Sequence, residues 1–258
     1  MNQSLNKIEG ENQHPTSPSM SAHQKERSAH WDKLATSVDK KRNYAEYYHT
    51  RLNTILRFQI SPGQRVLEIG CGFGDHLASV DPSYGLGIDF SEEMIEQGRK
   101  RHPHLNFELA DAHNLGHIRE KFDSIIISDF LNDAWDVQRI ITSLHPLCTS
   151  QTRIIINMYN HLWEAPLKIV EKCGLVRPTD AQNFLARKDV TNLLHLADFE
   201  VIREWAEVLL PLPIPLLSSL INRFLVKLWP FQFFALSNFI VARPVTIENK
   251  AVDEPTTS

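Results

Sequence analysis

Three carboxylates and three glycines sit at intervals suited to holding a nucleoside. Glu68, Gly70, Cys71, Gly72 and Gly74 fall within Val66-Leu-Glu-Ile-Gly-Cys-Gly-Phe-Gly-Asp75, Asp89 ends the next apolar run, and Asp111 follows a third in Ala110-Asp-Ala-His113. Glycines in such a turn let backbone approach a ligand and accept positive φ, and an acid closing the following strand can take both hydroxyls of a ribose lying across the turn. The turn by itself is ambiguous, because dinucleotide enzymes and ordinary tight turns use it too. The nicotinamide fingerprint Gly-x-Gly-x-x-Gly/Ala is not met, since counting from Gly70 its last position is Asp75, whose side chain would crowd helix-strand packing. No Lys-Ser or Lys-Thr follows the glycines, which excludes a phosphate-binding P-loop.

To put these acids along one edge, a parallel sheet is required. Short β-branched runs alternate with helical segments: Arg65–Ile69, Tyr84–Asp89, Leu105–Leu109, Phe122–Ser128, Arg153–Met158, Glu200–Trp205 and Asn238–Arg243 read as strands, and the alternation predicts an α/β fold. Ile125-Ile-Ile127 and Ile154-Ile-Ile156 are continuous apolar triplets, as expected of central strands covered on both faces. Ser91–His102 begins with an N-cap serine, carries acids in its first turn and bases in its last, and so suits the helix dipole at both ends. Asn43–Leu56 has helical spacing and is expected to lie over the top of the sheet, its three tyrosines read as packing residues; Val137–Leu144 and Lys188–Ala197 also read as helices.

Composition narrows the class. A chain of 258 residues, 42% apolar, can bury one substantial core. A net charge of −4 gives no general attraction to phosphate backbones, so no nucleic-acid partner is expected. Cys71, Cys148 and Cys173 form no CxxC pair, and His102, His104, His113 and His117 lack further ligand partners, so neither a disulfide framework nor a metal site is expected. The polar stretch 1–23 reads as a disordered tail without a signal peptide, 24–60 as an N-terminal helical cap, 61–246 as the main domain and 247–258 as a second tail. No window of apolar residues is long enough to span a bilayer, and the expected home is the cytoplasm.

Taken in order, Glu68–Gly74, Gly87-Ile-Asp-Phe-Ser91, Ala110-Asp-Ala112 and Phe122–Ser128 resemble the successive motifs of class I S-adenosylmethionine-dependent methyltransferases. The resemblance implies a Rossmann-like, mostly parallel seven-stranded sheet whose last strand inserts antiparallel beside the fifth. It implies that Gly70, Gly72 and Gly74 face the methionine and ribose of the cofactor, that Asp89 holds the ribose hydroxyls and that Asp111 bonds the adenine amino group. Phe90 and Met94 would flank the adenine, Ala112 would offer a backbone contact, His113 would form a pocket wall, Ser128 would lie near the methionine amino group, and Glu68 would orient the loop that also contains Cys71. A closer resemblance, carried by Ile127–Gln138, Asn157–Pro166, Leu193–Val201 and Leu210–Leu216, is to bacterial methyltransferase domains encoded with or fused to family-2 glycosyltransferases. It implies a role in making a surface or lipid-linked saccharide beside a glycosyltransferase partner; the acceptor itself stays open between a hydroxyl of a saccharide, of a lipid-linked saccharide and of another partly apolar small molecule. The alternative is an accessory module that binds the cofactor and docks a partner without catalysis.

Methyl transfer from a sulfonium is an in-line displacement in which the protein chiefly supplies alignment and a dry site. For a hydroxyl acceptor, a carboxylate or imidazole would help remove the proton, and Asp129, Asp133, Asp136, Tyr159 and His161 lie in the loops after the fourth and fifth strands. Asp133 and His161 are the first choices; the competing roles are capping of the next helix by Asp133 or Asp136 and packing of His161 on Trp163.

Residues 207–236 form an apolar insertion before the last strand. No acid occurs between Glu207 and Glu248, and in Leu216–Trp229 the pairs Leu216/Leu217, Leu220/Ile221, Phe224/Leu225 and Leu228/Trp229 oppose Ser218, Ser219, Asn222, Arg223 and Lys227. The spacing predicts an amphipathic helix bracketed by Pro211, Pro213, Pro215 and Pro230. It is expected to act as a lid over an apolar acceptor pocket, with contact to the inner face of a membrane; a dimer surface and simple burial on the domain are the other readings.

Overall fold

The computed structural model describes residues 25, 27–33, 42–172, 185–212, 214 and 216–245. The expected tails, together with Cys173, Pro213 and Pro215, lie outside them.

Seven strands form one sheet: β1 (Arg65–Ile69), β2 (Tyr84–Asp89), β3 (Asn106–Leu109), β4 (Phe122–Ser128), β5 (Cys148–Tyr159), β6 (Phe199–Glu207) and β7 (Ser237–Pro244), in the order β3-β2-β1-β4-β5-β7-β6. Strands β1 to β5 pair in parallel, and β7 enters antiparallel between β5 and β6. This is the Rossmann-like class I methyltransferase architecture that the motifs implied.

The isoleucine triplets show why the middle strands read as unbroken apolar runs. Ile125, Ile127, Ile154 and Ile156 enter one core layer, whereas Ile126 and Ile155 enter the layer on the other face, so successive side chains are buried alternately above and below the sheet. The helices follow in chain order: α1 (27–33), α2 (Arg42–Gln59), α3 (Asp75–Ser79), α4 (Glu92–Arg101), α5 (Val137–Ser143), α6 (Glu164–Lys172), α7 (Arg187–Leu196) and α8 (Leu217–Arg223). Ser91 Oγ accepts from Met94 N and caps α4, and Asp136 rather than Asp133 caps α5 by accepting from Arg139 N. Helix α2 packs on a face of the sheet instead of lying over its top. Leu56 and Ile60 join Val66 and Ile126, while Tyr48, Leu52 and Ile55 join Val208 and Phe239.

The insertion departs from expectation twice. Its helix stops at Arg223 and gives way to short turns at Leu225–Lys227 and Phe231–Phe234. Nor does its apolar side pack inward: Ser218 and Asn222, from the polar side, are each only 1% exposed, whereas Leu220 is 60%, Leu216 87% and Trp229 75% exposed, and the polar Ser219, Arg223 and Lys227 are exposed too. Asn222 accounts for part of this. Its side chain accepts from Leu210 N at 2.8 Å and donates to Leu210 O at 2.8 Å and to Tyr47 Oη at 2.9 Å, closing the connecting loop on itself. Ser218 Oγ likewise accepts from Ile214 N and donates to Leu212 O. Loop backbone that would otherwise be buried without partners draws Ser218 and Asn222 inward, and much of the apolar side is left exposed.

Candidate active site

The carboxyl ends of β1, β2 and β4 meet at the glycine turn. Glu68, 1% exposed, accepts from Leu77 N at 3.0 Å and so pins the first turn of α3 to β1; burial pushes its carboxyl well above the usual range. It orients the loop from beneath. The three glycines divide their work. A Cβ on Gly70 would stand 2.3 Å from the Phe130 ring and one on Gly74 2.6 Å from Phe107, while Gly72, at φ +51°, faces open space. Two of them therefore serve close packing, and Gly72 presents the bare backbone a ligand can approach. The Cys71 side chain is buried among Leu77, Val80 and Phe107, so only its backbone is placed for a cofactor; burial raises its thiol pKa.

Asp89 joins this turn to the next. Its Oδ2 accepts from Gly72 N and its Oδ1 from Ser91 N, both at 2.9 Å. Burial raises its pKa, and the N–H donors of Ser91, Gly72 and Phe90 oppose that shift. Asp111, at the end of β3, is oriented by His113. The imidazole Nε2 accepts from Asp136 N at 3.2 Å, which leaves Nδ1 to donate to Asp111 Oδ1 at 2.7 Å.

Asp111, Ala112 and His113 line a cavity of about 270 Å³, which Phe90, Phe130 and Asp133 also face. Met94 is buried in α4 behind Phe90. Ser128 Oγ, at the end of β4, is buried with no hydrogen-bond partner among the described residues. An orphaned hydroxyl, an open Gly72 and an acid at each of two strand ends fit the amino, ribose and adenine groups of S-adenosylmethionine.

Helix α1 closes this cavity from outside. Arg27 and Ser28 line it, Arg27 Nη2 pairs with Asp133 Oδ1 at 2.7 Å with both side chains buried, and Ser91 Oγ donates to Asp32 at 2.5 Å. Asp133 thus faces the cavity but is committed to an ion pair. His161 is exposed on the turn after β5, outside the cavity lining, so the structure does not bring these two expected catalytic residues together.

A different group stands just past the end of β4. Asp129, at φ +51°, directs Oδ1 to Tyr48 Oη at 3.0 Å and to Asn157 Nδ2 at 2.8 Å. Its Oδ2 has no hydrogen bond among the described residues, and the residue is half-buried. Burial is the main cause that pushes the Asp129 carboxyl up to about 7; the Tyr48 hydrogen bond opposes this and the nearby Asp133 charge reinforces it. Tyr48 Oη also meets Ser237 Oγ at 2.8 Å, and Tyr159 stacks on the Tyr48 ring. Tyr48, Asn157 and Ser237 were not expected from the sequence. Only helical spacing marks Tyr48, and nothing local connects it to the other two.

The insertion is fastened to this same edge. Asn160, following β5, donates to Phe233 O and Ala235 O at 2.8 and 2.9 Å, and Trp163 Nε1 donates to Phe234 O at 2.8 Å. These bonds hold the insertion against the loop that follows β5. Among the described residues, no cluster of His, Cys, Asp and Glu could hold a metal ion, and no helix is long and apolar enough to cross a membrane.

Fold and site together define a class I methyltransferase domain with S-adenosylmethionine as cofactor. The chain belongs to the family described as methyltransferase domain, whose pattern matches residues 60–198. It is 26% identical over 151 residues to the demethylmenaquinone methyltransferase of Renibacterium salmoninarum, covering 57% of this chain and 62% of that one. It is 27% identical over 117 residues to the phosphatidylethanolamine N-methyltransferase of Cereibacter sphaeroides, covering 43% and 58%. The chain thus spans about three-fifths of the length of these relatives. Among solved structures, an S-adenosylmethionine-dependent methyltransferase from Mesorhizobium loti superposes with a TM-score of 0.55 at 20% identity over 74% of this chain and 96% of that one. One from Clostridium acetobutylicum does so with a TM-score of 0.54 at 11% identity over 86% and 99%. These structural likenesses carry the fold.

Proposed function

We propose that the protein transfers a methyl group to a hydroxyl of a partly apolar, membrane-associated acceptor, such as a lipid-linked saccharide. The observation that carries this reading is the outward apolar side of the insertion, which Asn160 and Trp163 tie to the loop that follows β5. Two relatives are named for menaquinone-type and phosphatidylethanolamine substrates, which supports a lipidic acceptor. The saccharide portion, and a glycosyltransferase that would deliver it, follow from the sequence resemblance.

S-adenosylmethionine supplies an electrophilic methyl group on a sulfonium. Asp89 would hold its ribose hydroxyls, Asp111 its adenine amino group and Ser128 its methionine amino group, with Gly72 leaving room for the chain between. Helix α1, latched by Arg27 to Asp133 and by Asp32 to Ser91, would exclude water. Of the acids near the acceptor side, Asp129 is better suited as base than the expected Asp133 and His161. Its Oδ1 is fixed by Tyr48 and Asn157, its Oδ2 has no hydrogen bond among the described residues, and burial pushes its pKa up to about 7. The acceptor hydroxyl proton would pass to Oδ2 as its oxygen becomes nucleophilic.

The test is incubation of the full chain with methyl-labelled cofactor and a membrane extract, followed by organic extraction. Label entering the lipid phase supports the reading. Label found only in water-soluble small molecules, or none despite calorimetric binding of the cofactor, overturns it.

A further inference from the structure

A second cavity, of about 430 Å³, lies between α2, β6 and the insertion and shares no lining residue with the first. One wall is a single stripe of α2, in which Arg51, Ile55 and Phe58 recur at helical spacing. The facing wall is alternate residues of β6, namely Arg203, Trp205 and Glu207; Val226, Lys227 and Gln232 of the insertion roof it. Its charges do not cancel. Arg51 Nη2 pairs with Glu207 Oε2 at 3.0 Å, and Glu207 is buried. Arg203 rests on the Trp205 ring, its guanidinium 4.8 Å from the centroid, and Lys227 is exposed; neither has a carboxylate at ion-pair distance among the described residues. Two cations are thus left facing an aromatic floor, in a pocket whose roof belongs to the apolar insertion.

We propose that this pocket binds the phosphate headgroup of an anionic phospholipid, with the exposed side chains of the insertion entering the same membrane leaflet. The proposal rests on the membrane-associated reading above and adds to it a specific headgroup site. Three observations select a lipid over a protein partner. Leu216, Leu220, Phe224, Leu228 and Trp229 are all more than half exposed. No acid occurs between Glu207 and Glu248, while Arg223 and Lys227 flank the apolar face. Arg203 and Lys227 share the cavity roofed by that same segment, so charge and grease are presented together, as an anionic leaflet requires.

Co-sedimentation of the full chain with phosphatidylcholine vesicles, and with the same vesicles containing phosphatidylglycerol, tests both layers. The wild type is expected to prefer the anionic vesicles. Arg203→Gln and Lys227→Gln are each expected to reduce partition into them by about fivefold, leaving the weaker binding to neutral vesicles unchanged. Leu220→Asp with Trp229→Asp is expected to abolish binding to both. A retained thermal shift with S-adenosylmethionine shows that each variant is folded.

If Arg203→Gln and Lys227→Gln leave the anionic preference intact, the headgroup site falls while membrane contact stands. If the wild type binds neither vesicle, or Leu220→Asp with Trp229→Asp binds as well as wild type, both fall. Protection of the pocket by free glycerol phosphate, lost in Arg203→Gln, together with no anionic preference on vesicles, would assign it to a soluble anion and overturn the lipid source.

Discussion

The cofactor cradle and the proposed acceptor side of this molecule are built from different kinds of contact. At the glycine turn, Asp89 receives Gly72 N–H and Ser91 N–H, and Glu68 receives Leu77 N–H, so each acid is held by backbone within 17 positions of itself. At the acceptor side, Tyr48 reaches Asp129 across 81 positions and Ser237 across 189, and side chain meets side chain. Local backbone geometry makes a site for a constant ligand; long-range side-chain contacts make one that can be altered without disturbing it.

The sharpest probe of that division is Asp129→Asn, which keeps the hydrogen-bonding shape and removes the base. Turnover is expected to fall by about 10²–10⁴-fold, with the cofactor dissociation constant unchanged by calorimetry. In the wild type the rate should rise with pH through about 7, as Asp129 loses its proton, and the variant should lose that limb. Stability should move the opposite way. The folded pKa lies above the ordinary 3.8, so the folded state binds the proton more tightly, and this group's contribution is full below about 3.8 and lost as pH rises to about 7. Chemical denaturation of wild type and Asp129→Asn across that window measures the difference.

Asp89→Ala should do the reverse, weakening cofactor binding by about a hundredfold or more while circular dichroism stays native. If it instead left binding intact, the cofactor cradle would be wrongly assigned. Gly74→Ala, at φ +76° and 2.6 Å from the Phe107 ring, should cost about 1–3 kcal/mol in urea unfolding. The smallest effect belongs to the insertion. Leu220→Ser, on a side chain 60% exposed, should change stability by less than about 0.5 kcal/mol; a loss near 2 kcal/mol would mean that the apolar face is packed after all.

The same division explains what could be read in advance. The strand order, the α4 cap at Ser91 and the placing of Asp89 and Glu68 at strand ends were legible because each depends on neighbours in sequence or on the period of burial. Asp129 was visible only as one acid among several in the loops. What singles it out is Tyr48, contributed by a helix whose spacing says it packs but not what its hydroxyl meets. The Arg27–Asp133 ion pair joins residues more than a hundred positions apart, so no local pattern around Asp133 announces it. In the insertion, periodicity revealed two faces but not which residues turn inward. For Asn222 that was decided by its closing on the Leu210 backbone, a bond no hydropathy pattern encodes.

The place of β7 has a consequence for how the chain is made. Although last in sequence, it lies between β5 and β6, and its first residue, Ser237, completes the polar group around Tyr48. As the polypeptide leaves the ribosome, β5 and β6 must keep a gap between them until the strand that fills it has been made, so both the sheet and the group around Tyr48 are completed late.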